Sequence, residues 1–392
     1  MTTRSMKTRL IHPAASAPSG FRSLATPVFR GSTTLFERAA AIRDTCNHDE
    51  APYTYGSYGT PTTLELAARL AEIEGGRRTF ITPTGQSALV LVYAACLRAG
   101  DHVLVPATVY GPSRLFADRV LVRFGVEVEY YDPLAGAAIA ATIRANTRLV
   151  WCESPGSITM EVQDVPAIAA AAHARGVTVA LDNTWAAGVF FNAFDHGADI
   201  SVQALTKFVG GHSDLLLGSV TVRDDALHAR LGVAHQDFGY AASPDDCSLA
   251  LRGLQTLSVR LSAIEANALR IAAWLASLDE VETVLHPALP SCPGHDIWKR
   301  DFTGSSGLFS VVFRAPMSKG EIQAAMDRLT LFGMGYSWGG VSSLIVTPDL
   351  DEAPNARRFG DRLARIYIGI EDADDLIADL QQAFRFSRSQ PG

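Results

Sequence analysis

Short apolar runs alternate with stretches of helical periodicity between Thr79 and Val222. Apolar runs of this length, bounded by turn residues, predict buried strands. Their alternation with helices such as Ser87–Arg98 and Pro166–Arg175 predicts a mainly parallel sheet with helices on both faces. We therefore predict an α/β fold built on a seven-stranded sheet, with functional groups at the carboxyl ends of the strands. The predicted strands are Thr79–Thr82, Val103–Pro106, Val126–Tyr131, Leu149–Glu153, Val177–Asp182, Ile200–Ala204 and Leu217–Val222.

The first helix is predicted to begin at Thr62, because Thr62 and Glu65 have the spacing of a capping box. Apolar residues follow at helical intervals until Gly75-Gly76, where the helix should end. Residues 1–60 are rich in Pro, Gly, Ser, Thr and Tyr and show no clear periodicity. We predict that they form an extended N-terminal arm.

The pattern changes after residue 245, where strands and helices no longer alternate regularly. We predict a smaller α+β domain there, so that the chain divides into an arm (1–60), a cofactor-binding α/β domain (61–245) and a C-terminal domain (246–392). The predicted elements of the C-terminal domain are a long helix Asp246–Leu278, a strand Gly307–Phe313, a helix Ser318–Leu329, a strand Ala364–Ile370 and a last helix Asp372–Phe384.

The composition of the 392-residue chain narrows the class of protein. An apolar fraction of 47% is enough for a packed interior, and a charged fraction of only 19% suggests that other subunits cover part of the surface. A net charge of −7 without a basic run argues against nucleic acid or an anionic membrane as a partner. The ten histidines do not cluster at metal-ligand spacing, so we expect no metal site.

Cysteine usage and the N-terminal sequence indicate a reducing compartment. Five cysteines lie far apart in the sequence, which favours free thiols over a disulfide framework. The N-terminal MTTRSMKTRLIHPAAS lacks the apolar core of a secretory signal, and no apolar stretch reaches the length of a membrane-spanning helix. We therefore expect a cytoplasmic protein.

Lys207 is the first candidate for chemistry. It follows the apolar run Ile200–Leu205 and precedes the glycine turn Gly210-Gly211. A lysine at the end of a buried strand loses solvation, which lowers its pKa and allows the neutral amine to attack an aldehyde. Enzymes that use pyridoxal 5'-phosphate (PLP) need such an amine. The alternative is a solvated lysine near a strand end.

Three further segments could complete a site for this cofactor. Asp182 ends an apolar strand, where a buried carboxylate needs a cation such as a protonated pyridine nitrogen, unless it is a turn or helix-capping residue. The turn at Gly85-Gln86 joins a strand to a helix whose N-terminal amides suit a phosphate, although many α/β turns contain glycine. Tyr110 could stack on a flat ring, or it could be a half-buried turn tyrosine.

The C-terminal part of the sequence supplies candidates for substrate binding. Arg365 lies in an apolar strand, and a buried arginine needs an anion, such as a substrate carboxylate, that its planar guanidinium can hold. A structural ion pair with Glu371 or Asp372 is the alternative. Ser337 and Trp338 precede two glycines, a combination that often lines a cleft, although a lone tryptophan is more often a packing residue.

Eight segments carry a resemblance to a known family. They are YGSYGTPT (55–62), ESPGSITMEVQDVPAI (153–168), LDNTWAAGV (181–189), ALTKFVGGHSD (204–214), HPALP (286–290), WKRDFTGSSGLFS (298–310), YSWGG (336–340) and IGIEDADDLIADL (368–380). In this order they resemble the Cys/Met-metabolism family of PLP enzymes, from about residue 50 to the C-terminus. The resemblance implies the fold-type I, aminotransferase-like architecture.

The resemblance also implies a role for each matched residue. Lys207 would bind PLP covalently and move the substrate Cα proton, Asp182 would pair with the pyridine nitrogen, and Tyr110 would stack on the ring. Tyr55 would come from the neighbouring subunit and help to activate the substrate amine, within a tetramer of two catalytic dimers. The phosphate-binding residues would be Gly85, Gln86 and Thr206, and the substrate-binding residues Arg365, Ser337 and Trp338, with Tyr55 and Tyr110 beside them.

The implied reaction is β-elimination from L-cystathionine, with release of homocysteine, pyruvate and ammonia. Trp338 and the ESPGS string are the lyase-type forms, whereas γ-acting relatives more often carry a leucine at the tryptophan position and an asparagine near Ser157. Three alternatives stay open. They are another cysteine S-conjugate as substrate (as in a cysteine or cystine desulfhydrase), a γ-lyase or γ-synthase reaction, and a PLP-binding regulatory protein without turnover.

Two positions depart from the family pattern. Relatives usually have an arginine two residues after the tyrosine matched by Tyr55, and it reaches across the dimer to the cofactor phosphate. Here Ser57 stands in its place, so we expect weaker PLP binding. Relatives commonly have a glutamate in place of Ser342, which we expect to border the substrate cleft, and the far end of the substrate could therefore differ from cystathionine.

Overall fold

The seven apolar runs form the seven strands of one sheet in the computed structural model, which describes residues 6–11, 23–48, 51–351 and 353–386. The strands are β1 (Arg78–Thr82), β2 (His102–Pro106), β3 (Glu127–Tyr131), β4 (Thr147–Glu153), β5 (Thr178–Asp182), β6 (Ile200–Ala204) and β7 (Gly218–Val222). Their order across the sheet is β1-β7-β6-β5-β4-β2-β3. All neighbours pair in parallel except β7, which is antiparallel to both β6 and β1. The predicted mainly parallel seven-stranded sheet is confirmed.

Helices cover both faces of this sheet because its strands are apolar on both sides. Along β4, Val150 and Cys152 pack in one hydrophobic cluster, while Leu149 and Trp151 pack in another. The first cluster contains side chains of α2 and α5, and the second contains side chains of α3 and α6. These helices are α2 (Pro61–Glu74), α3 (Gly85–Cys96), α4 (Gly111–Phe116), α5 (Val165–His173) and α6 (Asp225–Asp237), and they follow α1 (Met6–Ile11).

The predicted start of the first long helix is wrong. Helix α2 begins at Pro61 with Thr60 as its N-cap, and the backbone N–H of Thr60 donates to Thr63 Oγ1 at 2.7 Å. Proline suits the first helical position because its fixed φ matches the helix and an N–H there would have no partner. Thr62 is therefore inside the helix, and Glu65 pairs with an arginine one turn later instead of capping the terminus.

The described part of the predicted arm is mostly irregular. Residues 23–48 contain one short helical turn, Ala39–Ala41, and the arm touches itself through a bridge between Thr33 and Tyr55. Residues 6–11 form α1, which the extended-arm prediction did not include. Residues 1–5, 12–22 and 49–50 of the arm lie outside the described residues.

A second, five-stranded sheet lies in the C-terminal part, in the order β10-β11-β12-β9-β8. Its strands are β8 (Val281–Leu285), β9 (Leu308–Phe313), β10 (Gly333–Met334), β11 (Leu344–Val346) and β12 (Leu363–Tyr367). The helices here are α7 (Pro244–Ala276), α8 (His295–Asp301), α9 (Lys319–Met326) and α10 (Ala373–Phe384). Strands β9 and β12 correspond to predicted strands, whereas β8, β10 and β11 were not predicted. The division of the chain at residues 60 and 245 stays a prediction.

All five cysteines lie in the described ranges, form no disulfide there, and are buried except for the half-buried Cys46. Within those same ranges no group of His, Cys, Asp and Glu side chains could hold a metal ion. None of the helices described is both long and apolar enough to cross a membrane.

Candidate active site

A cavity of about 400 Å³ opens at the carboxyl ends of β1, β2, β4, β5 and β6. Tyr55 and Ser57 of the same chain lie outside it, and Tyr55 is 48% exposed. The resemblance assigns both of them to a neighbouring subunit's site. The other predicted site residues all line the cavity: Gly85, Gln86, Tyr110, Asp182, Thr206, Lys207, Ser337, Trp338 and Arg365.

Lys207 is held on a tight turn that follows β6. The N–H of Gly211 donates to the Lys207 carbonyl at 2.8 Å, and the N–H of Lys207 donates to the Ala204 carbonyl at 3.1 Å. The Nζ atom donates to Ser337 Oγ at 2.7 Å. Burial, helped by the positive charge of Arg365, lowers the pKa of Lys207 to about 8. The amine is therefore half neutral at about pH 8.

Asp182 is the last residue of β5 and lines the same cavity. Its Oδ1 accepts hydrogen bonds from the Thr184 N–H at 3.0 Å and from the Thr184 hydroxyl at 2.5 Å. Burial raises the pKa of Asp182, while the Thr184 bonds and the Lys207 charge oppose that rise. A buried carboxylate in this position is stabilised by a cation placed in the cavity.

The start of α3 forms a cradle for an anion. Thr84 caps the helix through its side chain, which accepts the N–H of Ser87 at 3.0 Å. A Cβ atom at Gly85 would lie 2.7 Å from the Cβ of Ala204, so this close approach requires glycine. The backbone amides at the N-terminus of a helix bind phosphate well. The hydroxyl of Thr206 is hydrogen bonded to the Leu217 carbonyl at 3.2 Å.

Arg365 lies on β12 and presents a cation to the cavity without a carboxylate partner among the described residues. Its Nη2 donates to the Ser337 carbonyl at 3.3 Å, and burial lowers the pKa of the guanidinium. The alternative ion-pair partners are used elsewhere. Glu371 accepts the N–H of Ser343 at 2.6 Å, and Asp372 caps α10. The alternative, a structural ion pair, is therefore absent from the described contacts, and the arginine remains available for a ligand anion.

The segment Tyr336–Gly340 packs against the turn that carries Lys207. Ser337 adopts a left-handed backbone conformation with φ 76°, which is uncommon for a residue other than glycine, and it contacts both Lys207 and Arg365. Trp338 packs on Phe208, with ring centroids 5.3 Å apart, and lies 5.2 Å from Lys207 Nζ. This segment of the C-terminal part thus positions Lys207, which follows β6 of the seven-stranded sheet.

Sequence reasoning missed Glu153, which also lines the cavity. It ends β4 directly opposite Asp182 in the β4–β5 register, and its Oε2 accepts the N–H of Tyr110 at 2.8 Å. Burial and the neighbouring Asp182 raise the pKa of Glu153 well above its ordinary value. The same pattern that singled out Asp182, a carboxyl at the end of an apolar strand, could have found it.

The two departures from the family pattern lie away from this cavity in the described chain. Ser342 is exposed and is not among the residues that line the cavity. Ser57 lines a separate cavity of about 230 Å³, together with His48 and Tyr58. Neither residue therefore contacts the cavity of its own subunit.

Comparisons with known proteins agree with the resemblance read from the sequence. Residues 7–385 match the family described as Cys/Met metabolism PLP-dependent enzyme. The chain is 45% identical over 383 residues to a putative cystathionine beta-lyase from Rhizobium johnstonii, covering 97% of this chain and 96% of that protein. It is 39% identical over 392 residues to cystathionine beta-lyase MetC from Escherichia coli, covering 98% and 99%. The crystal structure of cystathionine gamma-lyase from Lactobacillus plantarum complexed with L-serine superposes with a TM-score of 0.90 at 28% identity, covering 97% and 99%.

Proposed function

The chain belongs to the Cys/Met metabolism family of PLP-dependent enzymes, and from this premise we propose that it cleaves L-cystathionine by β-elimination. The products are homocysteine, pyruvate and ammonia. The observation that most supports the proposal is that Lys207, Asp182 and Arg365, three side chains of complementary charge and basicity, line one cavity. The β-lyase names of relatives aligned over nearly the whole chain support the choice of reaction.

The residues of the cavity fit PLP. Asp182 would meet a ring nitrogen that carries a proton, the amides at Gly85 and Gln86 would hold the phosphate, and Lys207 would provide the amine for covalent attachment. The close approach of Gly85 to Ala204 packs the start of α3 against the end of β6. Tyr110 would stack on the ring, and Thr206 would border the phosphate. When bound, PLP supplies an electron-accepting ring that stabilises negative charge at the substrate Cα.

The chain's own residues supply binding and proton transfer. Arg365 binds the substrate α-carboxylate, with Ser337 and Trp338 beside it, and so fixes the direction of the Cα–H bond. Lys207 Nζ, held by Ser337 Oγ at 2.7 Å, removes the Cα proton as a neutral amine. The Cβ–S bond then breaks, the sulfur leaves as a thiolate that takes up a proton, and the remaining three-carbon fragment hydrolyses to pyruvate and ammonia.

Three further parts of the proposal concern the assembly and the location of the protein. The exposed position of Tyr55 supports its contribution to a neighbouring subunit's site, with Ser57 near the phosphate there. We infer a homotetramer of two catalytic dimers, in which the arm reaches across. The five cysteines form no disulfide in the described part of the chain, which supports a cytoplasmic location.

The test uses purified, PLP-loaded protein and L-cystathionine, with identification of both the keto acid and the thiol. The proposal predicts pyruvate and homocysteine in equal amounts, and no product from the Lys207→Ala variant. Formation of 2-oxobutanoate and cysteine would instead show γ-elimination. If neither pair appears while the absorption of bound PLP is intact, L-cystathionine is not the substrate, and cystine and other cysteine S-conjugates come next.

A further inference from the structure

Glu153 is a carboxyl group of the cavity for which the proposed mechanism has no use. Its side chain is only 9% exposed. In the β4–β5 register it lies opposite Asp182, so both side chains project from the same face of the sheet. Strands of a sheet are about 4.8 Å apart, which makes these two carboxyl groups direct neighbours. A buried pair of this kind does not ionise twice, because each negative charge disfavours the other.

The hydrogen bonds of the two groups decide which of them is ionised. Asp182 accepts two hydrogen bonds from Thr184 and has the Lys207 amine nearby, and all of these favour its charged form. Glu153 is opposed by burial and by the charge of Asp182, with only the backbone N–H groups of Tyr110 and Ser157 acting in the other direction. These contacts favour the charged form of Asp182 and the neutral form of Glu153.

Glu153 also fixes the residue that precedes α4. The N–H of Tyr110 donates to its Oε2 at 2.8 Å, at the point where the chain turns from β2 into α4. The Glu153 backbone is itself anchored, because its N–H donates to Gln163 Oε1 at 2.9 Å and Gln163 Nε2 donates to Tyr131 Oη at 3.0 Å. A rigid strand end thus holds the backbone of Tyr110, whose ring lines the cavity.

The other titratable groups near Glu153 do not supply a competing charge. Tyr93, on α3, interacts electrostatically with Glu153, and burial raises the pKa of its hydroxyl group far above neutrality. Tyr110, on the loop after β2, approaches through its backbone. Lys207, after β6, acts on Asp182. Asp182 is thus the one anion that faces Glu153 among the described residues.

We propose that Glu153 is a positioning residue, whose neutral carboxyl group holds the Tyr110 turn against the cavity and leaves Asp182 as the only anion of the pair. The contact with Tyr110 exists whatever the substrate is. Only its effect on turnover rests on the proposed function.

The test compares Glu153→Gln, Glu153→Asp and Glu153→Ala in the PLP-loaded protein. Glutamine has the same shape and no charge, and its side-chain oxygen can accept the Tyr110 N–H. We therefore expect Glu153→Gln to keep the pH midpoint of the PLP absorption spectrum and the PLP dissociation constant, the latter within about twofold. Aspartate is too short to reach Tyr110, and alanine offers no acceptor. Both should weaken PLP binding and lower kcat by about tenfold to a hundredfold, because the Tyr110 N–H loses its hydrogen bond to Glu153.

Two results would overturn the proposal. A shift of the absorption midpoint by about one pH unit or more in Glu153→Gln would show that a negative charge had been removed. PLP binding by Glu153→Asp or Glu153→Ala as tight as that by Glu153→Gln would show that Tyr110 is not held by this group. If the alanine variant does not fold, the aspartate variant decides the second point.

A double-mutant cycle tests whether Glu153 acts through Tyr110. The loss of PLP affinity in Tyr110→Ala should not increase further when Glu153→Ala is added, whereas additive losses would contradict the proposal. These spectral and binding measurements need no L-cystathionine. Failure of the unmodified protein to release pyruvate while the spectra of the variants behave as expected would count against the proposed reaction, and would leave the positioning role intact.

Discussion

Replacement of Gly339 by alanine tests the contact between the C-terminal part and Lys207. Gly339 has φ +92°, and a Cβ atom there would lie 2.8 Å from the Cα and carbonyl carbon of Lys207. Carbon atoms in contact prefer about 3.5–4.0 Å, so the two backbones must separate by roughly 1 Å. A displacement of that size at a reacting group costs about a hundredfold in rate. The left-handed φ adds about 1–2 kcal/mol of strain for alanine.

We therefore expect Gly339→Ala to lower kcat on L-cystathionine about a hundredfold, to reduce PLP occupancy and to lower the melting temperature. The assay is pyruvate release together with the absorption of bound PLP. Gly335→Ala is the matched control, because Gly335 directly precedes the segment Tyr336–Gly340 and nothing lies within 4 Å of its added Cβ. This control should keep kcat within about twofold of the unmodified protein. If Gly339→Ala binds PLP and turns over as well as the control, the packing argument is refuted.

Three other predictions concern the amine, the arginine and the arm. Because the pKa of Lys207 is lowered to about 8, the rate of PLP incorporation into the apoenzyme should increase as pH rises through about 8 and then level off. A rate that keeps rising to about pH 10.5, the ordinary pKa of lysine, would contradict this prediction. Arg365→Lys should raise KM for L-cystathionine about tenfold to a hundredfold, because a single ammonium cannot hold a carboxylate as the planar guanidinium does. An unchanged KM would speak against carboxylate binding. Ser57→Arg should tighten PLP binding in equilibrium dialysis, and unchanged affinity would disprove the expected phosphate contact.

Strong, local patterns made much of the α/β core predictable. Each of its strands is a short apolar run, and the predicted bounds differ from those of β1–β7 by at most two residues. Where two nearby residues fit the same role, the prediction was wrong. At the start of α2 both Thr60 and Thr62 are suitable N-cap residues, and Pro61, which favours the first helical position, makes Thr60 the N-cap. Strands β10 and β11 have only two and three residues, too few to show a period, and they exist through pairing within the sheet.

The candidate site was predictable as a set of residue types and strand ends. Its contacts were not, because they join distant parts of the chain. Lys207 and Ser337 are 130 positions apart in the sequence, and no local pattern predicts the hydrogen bond between them. Whether Arg365 binds a ligand or forms an ion pair depended on which groups donate to Glu371. In the folded chain the Ser343 N–H is one such donor, and the sequence does not show this contact. Glu153 ends an apolar strand as Asp182 does, but its position opposite Asp182 follows only from the register of β4 and β5.

The central claim is that this cavity holds PLP on Lys207 and carries out the elimination there. The chain has four lysines, Lys7, Lys207, Lys299 and Lys319, and only Lys207 lines the cavity. The direct measurement is borohydride reduction of the PLP-loaded protein, followed by trypsin digestion and mass spectrometry. The account predicts one pyridoxyl group per chain, on an uncleaved peptide 176–223, with loss of pyruvate formation in the same proportion. A label on any other lysine, or full activity after Lys207 is labelled, would contradict it.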